Sequence, residues 1–134
     1  MAGNAALPSL IERALASAMD AEAADRMRDG FKEASSRPVT LRANTVKADA
    51  EDIASALDAA ELAFERVAWY GDAFVLGETV SERDVWSLPI YQEGAVYLQS
   101  LSSMLPPLVL APQPGSDILD MCAAPGGKTS QLYA

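Results

Sequence analysis

The chain has 134 residues, 50% hydrophobic and 22% charged, which is the size and composition of one globular domain. It contains 10 Lys and Arg and 19 Asp and Glu, and its net charge of −9 excludes a broadly basic surface. Contacts to phosphate would therefore come either from a small local patch or from basic surface that lies outside this chain. No run approaches the ~20 apolar residues of a transmembrane helix and no signal peptide opens the chain, so we expect a cytoplasmic protein that does not enter a membrane.

Residues 8–34 show the apolar pattern of two helices. Apolar residues recur at three- and four-residue steps from Leu7 to Ala18, which places them on one face of a first helix. Asp20 is the expected N-cap of a second helix, which ends at the Ser-Ser-Arg-Pro sequence of residues 35–38. Amphipathic helices usually cover their own domain, so core packing is favoured over partner binding.

The next segment predicts a small module of strand, helix, strand and strand. Residues 39–44 alternate as in a strand, and Asp49 is the expected cap of a helix that runs to about residue 60. Residues 62–70 and 73–77 are two further predicted strands, joined at the turn signal Gly71-Asp72. The βαββ order favours a ferredoxin-like or RRM-like sheet, but no RRM aromatic motif supports base stacking on it.

A polar connector and a strand-helix segment follow. Residues 78–89 predict a connecting loop in which Trp86 is a packing anchor. Residues 94–105 predict a short strand and a helix with Ser100 as its cap; the buried face of this helix is expected to contain Leu101, Met104, Leu105 and Leu108. The strand and the helix cap together explain the residue types of this segment except for Gln99.

The stretch from Asp117 to Leu132 carries the clearest functional signal. Residues 117–121 are a short apolar run interrupted by acids, residues 122–126 are small residues or proline, and the sequence from Gly127 is typical of a helix start. A strand, a tight loop and a helix direct unpaired N–H groups and the positive end of a helix dipole at the loop. Such a loop suits a nucleotide-like ligand.

Spacing excludes two common nucleotide-binding loops. A P-loop requires Gly at the position of Cys122, and Pro125 has no N–H to offer a phosphate. The dinucleotide fingerprint fails because Cys122, Ala124 and Gly127 stand at its three glycine positions. The plain alternative is a strand-to-helix turn with Gly at a tight corner.

The sequence Asp-Met-Cys-Ala-Ala-Pro-Gly-Gly-Lys-Thr at residues 120–129 resembles the cofactor loop of RNA 5-methylcytosine methyltransferases of the NOL1/NOP2/Sun (Fmu) family. The resemblance implies that S-adenosyl-L-methionine is the cofactor. It also implies the cofactor-binding residues Cys122, Ala123, Ala124, Pro125, Gly126, Gly127 and Lys128. Lys128 either neutralises the cofactor carboxylate or is solvated, and the helix N-terminus favours the contact.

Two upstream segments resemble the same family. Leu-Arg-Ala-Asn-Thr-Val-Lys at residues 41–47 is similar to the signature of the family's N-terminal module, which helps to hold the RNA substrate. Residues 94–104 are similar to a segment that lies across the cofactor pocket, although Ser100 stands where the family often has an acid. The resemblance implies phosphate contacts from Arg37, Arg42 and Lys47. The alternative is that Arg42 and Asn44 hold the strand ends through hydrogen bonds to the backbone.

No residue of this chain is predicted to be catalytic. The resemblance implies two cysteines, one attacking C6 of cytosine and one releasing the product, whose motifs lie beyond Ala134. Cys122 is the single cysteine and is expected to close the strand-to-helix corner. Because the chain has no His and one Cys, a zinc site of the usual type and an internal disulfide are excluded.

We therefore expect an α+β chain in three parts. These are N-terminal helices over residues 1–38, a small RNA-positioning ferredoxin/RRM-like βαββ module with its connector over 39–89, and the first βα unit of a truncated Rossmann-like methyltransferase domain over 90–134. With no sheet to join, the unit at residues 117–134 is expected to pack on the N-terminal module, to exchange a strand with another chain, or to be disordered. The second outcome is a route to self-association.

Two functions follow from this organisation. The first is an N-terminal fragment of an S-adenosylmethionine-dependent RNA cytosine-5 methyltransferase, with ribosomal RNA as the expected substrate and no activity of its own. The alternative is a stand-alone, non-catalytic RNA- or protein-binding module with a vestigial cofactor loop.

Overall fold

The computed structural model describes residues 8–35 and 37–134. The chain divides into two compact units, Met1–Arg37 and Pro38–Ala134. The first unit contains helices α1 (Ser9–Ala18) and α2 (Ala21–Ser35). Asp20 Oδ1 accepts a hydrogen bond from the N–H of Ala23 at 2.8 Å, which confirms the predicted N-cap. Leu7 lies outside the described residues.

The second unit contains four strands: β1 (Thr40–Ala43), β2 (Phe64–Val67), β3 (Tyr70–Leu76) and β4 (Val96–Leu98). They form one antiparallel sheet in the order β2-β3-β1-β4. Its helices are α3 (Ala50–Ala59), α4 (Glu82–Trp86), α5 (Pro89–Gln92), α6 (Leu101–Leu110) and α7 (Gly127–Tyr133). This combination of helices and an antiparallel sheet confirms the α+β class.

Strand alternation gives the sheet two different faces, because successive side chains point to opposite sides. One face forms the main core, in which Leu41 and Phe74 pack with Ile53 of α3. On the other face, Ala73 and Met104 of α6 belong to a smaller apolar cluster. Arg42 follows Leu41 in β1, so its side chain projects to the second face.

Asp49 is the N-cap of helix α3, as predicted. The Asp49 carboxylate accepts hydrogen bonds from the N–H groups of Glu51 and Asp52 at 3.0 and 2.9 Å, and the Asp52 side chain accepts one from the Asp49 N–H at 3.3 Å. This capping box satisfies N–H groups that the helix itself leaves unpaired. Ile53 and Leu57 are fully buried, also as predicted.

The β2–β3 hairpin turns at Ala68 and Trp69, so the prediction of a turn at Gly71-Asp72 is wrong. Gly71 and Asp72 are part of β3. The Arg66 guanidinium donates two hydrogen bonds to the Gly71 carbonyl, at 3.2 and 2.8 Å, which holds this glycine beside β2. The order Gly-Asp also lacks the positive-φ preference that Asp-Gly gives to a two-residue hairpin turn.

The connector predicted as a loop over residues 78–89 contains α4, so that prediction is wrong in part. Ser81 donates to Asp84 Oδ2 through both its N–H, at 2.8 Å, and its hydroxyl, at 2.7 Å, which starts the helix. Val85 is fully buried in the main core whereas Trp86 is 45% exposed, so Trp86 is not the anchor. Adjacent residues of a helix do not share a face, and the shorter side chain faces the sheet.

Strand β4 and helix α6 follow in the predicted order. Ser100 occupies the N-cap position, but its hydroxyl donates to Ser103 Oγ at 3.0 Å instead of accepting a backbone N–H. Met104 is buried as predicted, whereas Leu105 is exposed because it lies one residue further around the helix. The helix continues through Pro106 and Pro107.

Residues 117–121 do not form the predicted strand. A strand requires a hydrogen-bonded neighbour, and no residue within 8–35 and 37–134 pairs with this segment. Leu119 and Met121 are 84% and 87% exposed as a result. Among the described helices, none is long and apolar enough to span a membrane.

Candidate functional site

Asp120 fixes the start of the loop that leads into α7. Its Oδ1 accepts the N–H of Cys122 at 2.9 Å, and its Oδ2 accepts the hydroxyl of Thr129 at 2.7 Å. These bonds, with that of Thr129 the largest contribution, lower the pKa of Asp120 below its ordinary 3.8. The carboxylate is therefore ionised at neutral pH and ties both ends of the loop together.

Strand β4 holds the middle of the loop. The Tyr97 hydroxyl donates to the carbonyl of Pro125 at 3.2 Å. Gly126 adopts a φ of +112°, which favours glycine. At Gly127 a Cβ would lie 3.1 Å from Tyr97 Cε1 and 3.5 Å from Gln99 Cδ, so a side chain there would press on the sheet. Glycine is thus favoured at position 126 by the backbone conformation and at position 127 by the lack of space for a side chain.

Arg42 connects the sheet to α7 on the same face. Its guanidinium is fully buried and donates to three neutral acceptors: Ala43 O at 2.9 Å, Ser130 Oγ at 3.0 Å and Gln99 Oε1 at 3.3 Å. Burial lowers the pKa of Arg42, with nearby Tyr70 opposing that shift. An arginine in a protein nevertheless stays protonated, so a positive charge lies beneath the loop helix.

Two glutamines complete this polar network. Gln99 Nε2 donates to Ser103 O at 3.0 Å and to Gln131 Oε1 at 3.2 Å, and Gln131 Nε2 donates to Met104 O at 3.0 Å. Both glutamines are buried. In the part of the chain that the structure describes, no buried side-chain nitrogen or oxygen lacks a partner. The network therefore joins β1, β4, α6 and α7 without an uncompensated polar atom.

A cavity of about 330 Å³ lies beside the loop, within the size range of small-molecule sites. Leu110, Ile118 and Leu119 supply apolar walls, while Asp120, Cys122 and Lys128 supply polar groups. Within the described residues, the N–H groups of Gly127 and Lys128 have no hydrogen-bond acceptor. Of these two residues only Lys128 lines the cavity, so the apolar walls together with the free N–H and the ammonium group of Lys128 fit a cofactor with a flat ring and a carboxylate. A larger cavity of about 610 Å³ contains none of residues 122–128.

The family of this chain follows from comparison with known proteins. Residues 107–134 match the family model described as 16S rRNA methyltransferase RsmB/F. The chain is 42% identical over 99 residues to the 26S rRNA (cytosine-C(5))-methyltransferase nsun-1 of Caenorhabditis elegans, and 41% identical over 100 residues to the 25S rRNA (cytosine-C(5))-methyltransferase nop2 of Schizosaccharomyces pombe. The chain belongs to the NOL1/NOP2/Sun family.

Both relatives of the NOL1/NOP2/Sun family are much longer than this chain. Each match covers 73% of the chain, but only 15% of the nematode protein and 16% of the yeast protein. A solved structure described as a methyltransferase homolog protein from Pyrococcus horikoshii is similar over 95% of this chain and 44% of its own, with 33% identity and a TM-score of 0.69.

The three residues expected from the NOL1/NOP2/Sun resemblance to contact phosphate do not share one environment. Arg42 is buried, whereas Lys47 is exposed and donates from Nζ to Glu93 O at 2.5 Å. Arg37 is exposed and belongs to the other compact unit. Arg42 bonds the backbone at Ala43, and Asn44 Nδ2 donates to Gly94 O at 2.9 Å, as the alternative interpretation of these two side chains predicts.

Four of the seven predicted cofactor-loop residues form two pairs with different surroundings. Cys122 and Lys128 line the cavity, whereas Pro125 and Gly127 contact Tyr97 of the sheet. Sequence reasoning missed the supporting side chains, which are Tyr97, Ser130 and Gln131. Arg42 and Tyr97 are opposite each other in the β1–β4 register, so their side chains lie on the same face of the sheet. The side-chain alternation along each strand was the feature of the sequence from which this shared face could have been found.

Among residues 8–35 and 37–134, no cluster of three or more His, Cys, Asp or Glu side chains has the arrangement of a metal site.

Proposed function

We propose that this chain is part of an S-adenosyl-L-methionine-dependent methyltransferase that modifies C5 of cytosine in ribosomal RNA. The names of its relatives support the reaction and the substrate. One structural observation carries the proposal: a small-residue loop, tied by Asp120 and braced by Tyr97, lies beside a cavity with apolar walls. A ribosomal RNA substrate agrees with the cytoplasmic location expected from the sequence.

The proposed cofactor site is the whole loop, whose residues are Cys122, Ala123, Ala124, Pro125, Gly126, Gly127 and Lys128. Bound S-adenosylmethionine supplies an electrophilic methyl group. Lys128 provides a positive charge for the cofactor carboxylate, and the free N–H groups of Gly127 and Lys128 provide donors. Ile118 and Leu119 provide an apolar surface on one side of the cavity for the cofactor to pack against.

For the RNA, we propose direct phosphate contacts from Arg37 and Lys47. Both side chains are exposed, and long cationic side chains of this kind carry most of the affinity for a nucleic-acid backbone. For Arg42 we propose a supporting role, because its donors are already used inside the protein. This assignment changes the predicted contact into an internal one.

We also propose that residues 39–89 form a ferredoxin-like RNA-positioning module, and that residues 90–134 open a Rossmann-like methyltransferase domain. The strand order β2-β3-β1-β4 with antiparallel neighbours supports the first part, and β4, which lies just beyond residue 89, adds the fourth strand to the sheet of the module by pairing with β1. Helix α7 after the small-residue loop supports the second part. Residues 117–121 would then be the first strand, which gains its pairing only from a further parallel strand.

Cofactor binding is tested by calorimetric titration of the chain with S-adenosylmethionine. We expect saturable binding that weakens at least about tenfold in Lys128→Met, because a charged contact in a partly enclosed site is worth ~1.4 kcal/mol or more. Lys47→Met is the matched control and should bind the cofactor as the wild type does. Equal affinity of Lys128→Met and wild type for the cofactor would contradict the role given to Lys128. A chain that binds RNA but shows no binding of S-adenosylmethionine would favour the non-catalytic binding module.

RNA binding is tested with a ribosomal RNA fragment in filter-binding experiments at several salt concentrations. Each phosphate contact that is lost should reduce the salt dependence by ~0.7 to 0.9 in the slope of log K against log salt. We expect this reduction for Lys47→Met and for Arg37→Met, and none for Lys128→Met. An unchanged slope in the first two variants would remove those residues from the interface.

Self-association through the unpaired C-terminal segment is a further proposal. Ile118, Leu119 and Met121 are exposed apolar side chains with no strand beside them, and such segments tend to pair with another chain. Light scattering after size-exclusion chromatography measures the mass directly. We expect a concentration-dependent dimer that Leu119→Lys abolishes and that Val46→Lys, at another exposed apolar position, leaves intact.

A further inference from the structure

We propose that Arg42 and Ser130 are positioning residues that set the affinity of the cofactor loop through a relay of hydrogen bonds. This inference rests on the proposed function for its cofactor part, and on the described contacts alone for its structural part. Neither residue lines the cavity beside the loop. Both act through Gly127, the residue at which the loop becomes a helix.

The relay consists of two consecutive hydrogen bonds. Arg42 Nη2 donates to Ser130 Oγ at 3.0 Å, and Ser130 Oγ donates in turn to the carbonyl of Gly127 at 3.1 Å. Because the hydroxyl accepts from a cation, its proton is directed away from Arg42 and toward the carbonyl. Hydrogen bonds in such a chain strengthen one another. The sheet thereby orients the peptide group of Gly127.

The cation has a reason to keep this geometry. Arg42 is fully buried, and the oxygen atoms of Ala43, Ser130 and Gln99 that accept its hydrogen bonds are neutral. A buried charge that loses an acceptor has no water to replace it, so each of the three bonds is costly to break. Ser130 therefore remains under Arg42, and α7 cannot slide along the sheet without stranding a donor.

The relay also explains why the loop is close to the sheet. The Ser130 N–H donates to Gly126 O at 2.8 Å, so the same residue binds both glycines of the loop. Gly127 lies against Tyr97 and Gln99, and Gln99 accepts the third bond of Arg42. Movement of Arg42 would therefore shift Gln99 and Ser130, and with them the orientation of the free N–H groups at the start of α7.

The experiment compares Ser130→Ala with Ser130→Thr. The first variant removes the hydroxyl of the relay, and the second retains it. In each variant we measure the affinity for S-adenosylmethionine by calorimetry. We also measure the amide hydrogen exchange of residues 130–133, the hydrogen-bonded amides of α7 next to the loop, relative to the strand residues Leu41 and Phe74. Alanine has a higher helix propensity than serine, so any loosening of α7 in Ser130→Ala is not a propensity effect.

We expect Ser130→Ala to raise the dissociation constant about tenfold and to speed exchange at residues 130–133 by a similar factor, with Leu41 and Phe74 unchanged. Ser130→Thr should restore both quantities. Combining Arg42→Met with Ser130→Ala should be no worse than Arg42→Met alone, because both substitutions remove the same relay. Arg66→Met, which removes an arginine from β2 of the same sheet, should leave loop exchange at the wild-type rate.

Two results would overturn the inference. One is loop exchange in Ser130→Ala that is equal to that of the wild type, and the other is an increase of exchange that is the same in the sheet and in the loop. If the wild-type chain binds no S-adenosylmethionine, the cofactor site proposed for this chain is wrong. The exchange comparison still decides whether the relay orders the loop.

Discussion

A Cβ at position 127 would lie 3.1 Å from Cε1 of Tyr97, because the tyrosine ring packs directly against the first turn of α7. The ring has little freedom to withdraw, since its hydroxyl is hydrogen bonded to Pro125 O at 3.2 Å. The loop and the sheet are therefore in contact on both sides of Gly126, and the width of the gap between them is set by the absence of one methyl group.

This contact predicts that Gly127→Ala is destabilising although alanine favours helices. Overpacking of this kind costs about 1 to 3 kcal/mol, which exceeds the gain from helix propensity. Gly30→Ala is the matched control, because Gly30 is within α2 and a Cβ there would meet nothing within 4 Å. We expect it to stabilise its helix by up to ~1 kcal/mol. Urea denaturation measures both, and a gain in both variants would show that Tyr97 yields.

The lowered pKa of Asp120 predicts an acid transition of the loop. A carboxylate with a folded pKa below its ordinary 3.8 stabilises the folded loop above that pH, and the contribution disappears as pH falls through the lower folded value. Thr129→Val removes the largest cause, so the pKa of Asp120 should rise toward the ordinary value. NMR titration of the side-chain carboxyl carbon measures this shift.

Asp84 provides the internal reference for that titration. Its pKa is also lowered, by the N–H and hydroxyl of Ser81, the N-cap residue of α4, and this cause is independent of the loop. The Asp84 midpoint should therefore be the same in wild type and Thr129→Val. An Asp120 midpoint that does not move would show that Cys122 N–H alone accounts for its low pKa.

The capping box of α3 predicts a cost for Asp49→Ala. Loss of an N-cap acceptor leaves the N–H groups of Glu51 and Asp52 unpaired by protein, which typically costs ~1 kcal/mol. Asp58→Ala, in the last turn of the same helix, should have no cost or a small gain, because an acid there opposes the helix dipole. Thermal unfolding followed by circular dichroism compares the two, and equal losses would contradict a capping effect.

The burial of Val85 predicts that the smaller of two neighbouring side chains matters more. Val85→Ala should cost roughly 1 to 2 kcal/mol, since it opens space in the fully packed main core. Trp86→Ala should cost less, because nearly half of that side chain is already exposed. Chemical denaturation of the two variants decides the order, and a larger loss for Trp86→Ala would restore it as the anchor.

The features that could be predicted from sequence are those determined locally. The caps at Asp20 and Asp49 depend on side chains within three residues, and the strand of residues 39–44 depends on simple alternation. The small-residue loop could be found because its composition is not explained by propensity. In each case the information lies in a short segment.

The features that could not be predicted depend on distant partners. The hairpin turn depends on how Arg66 meets Gly71 across two strands, and the burial of Val85 depends on the sheet beneath it. Arg42 is the clearest example, because an arginine in a strand is usually a surface residue. Its charge is internal because Gln99 and Ser130, both far along the chain, accept hydrogen bonds from its buried guanidinium.

The long separation in sequence between Arg42 and its hydrogen-bond partners has a consequence for how the molecule folds. The bonds from Arg42 to Gln99 and to Ser130 join residues 57 and 88 positions apart. Contacts between such distant residues require large loops to close, and they form after the local ones. The loop should therefore acquire its final shape only after β1 and β4 have paired, so the segment proposed to meet the cofactor is the last to order and the first to be lost when the sheet opens.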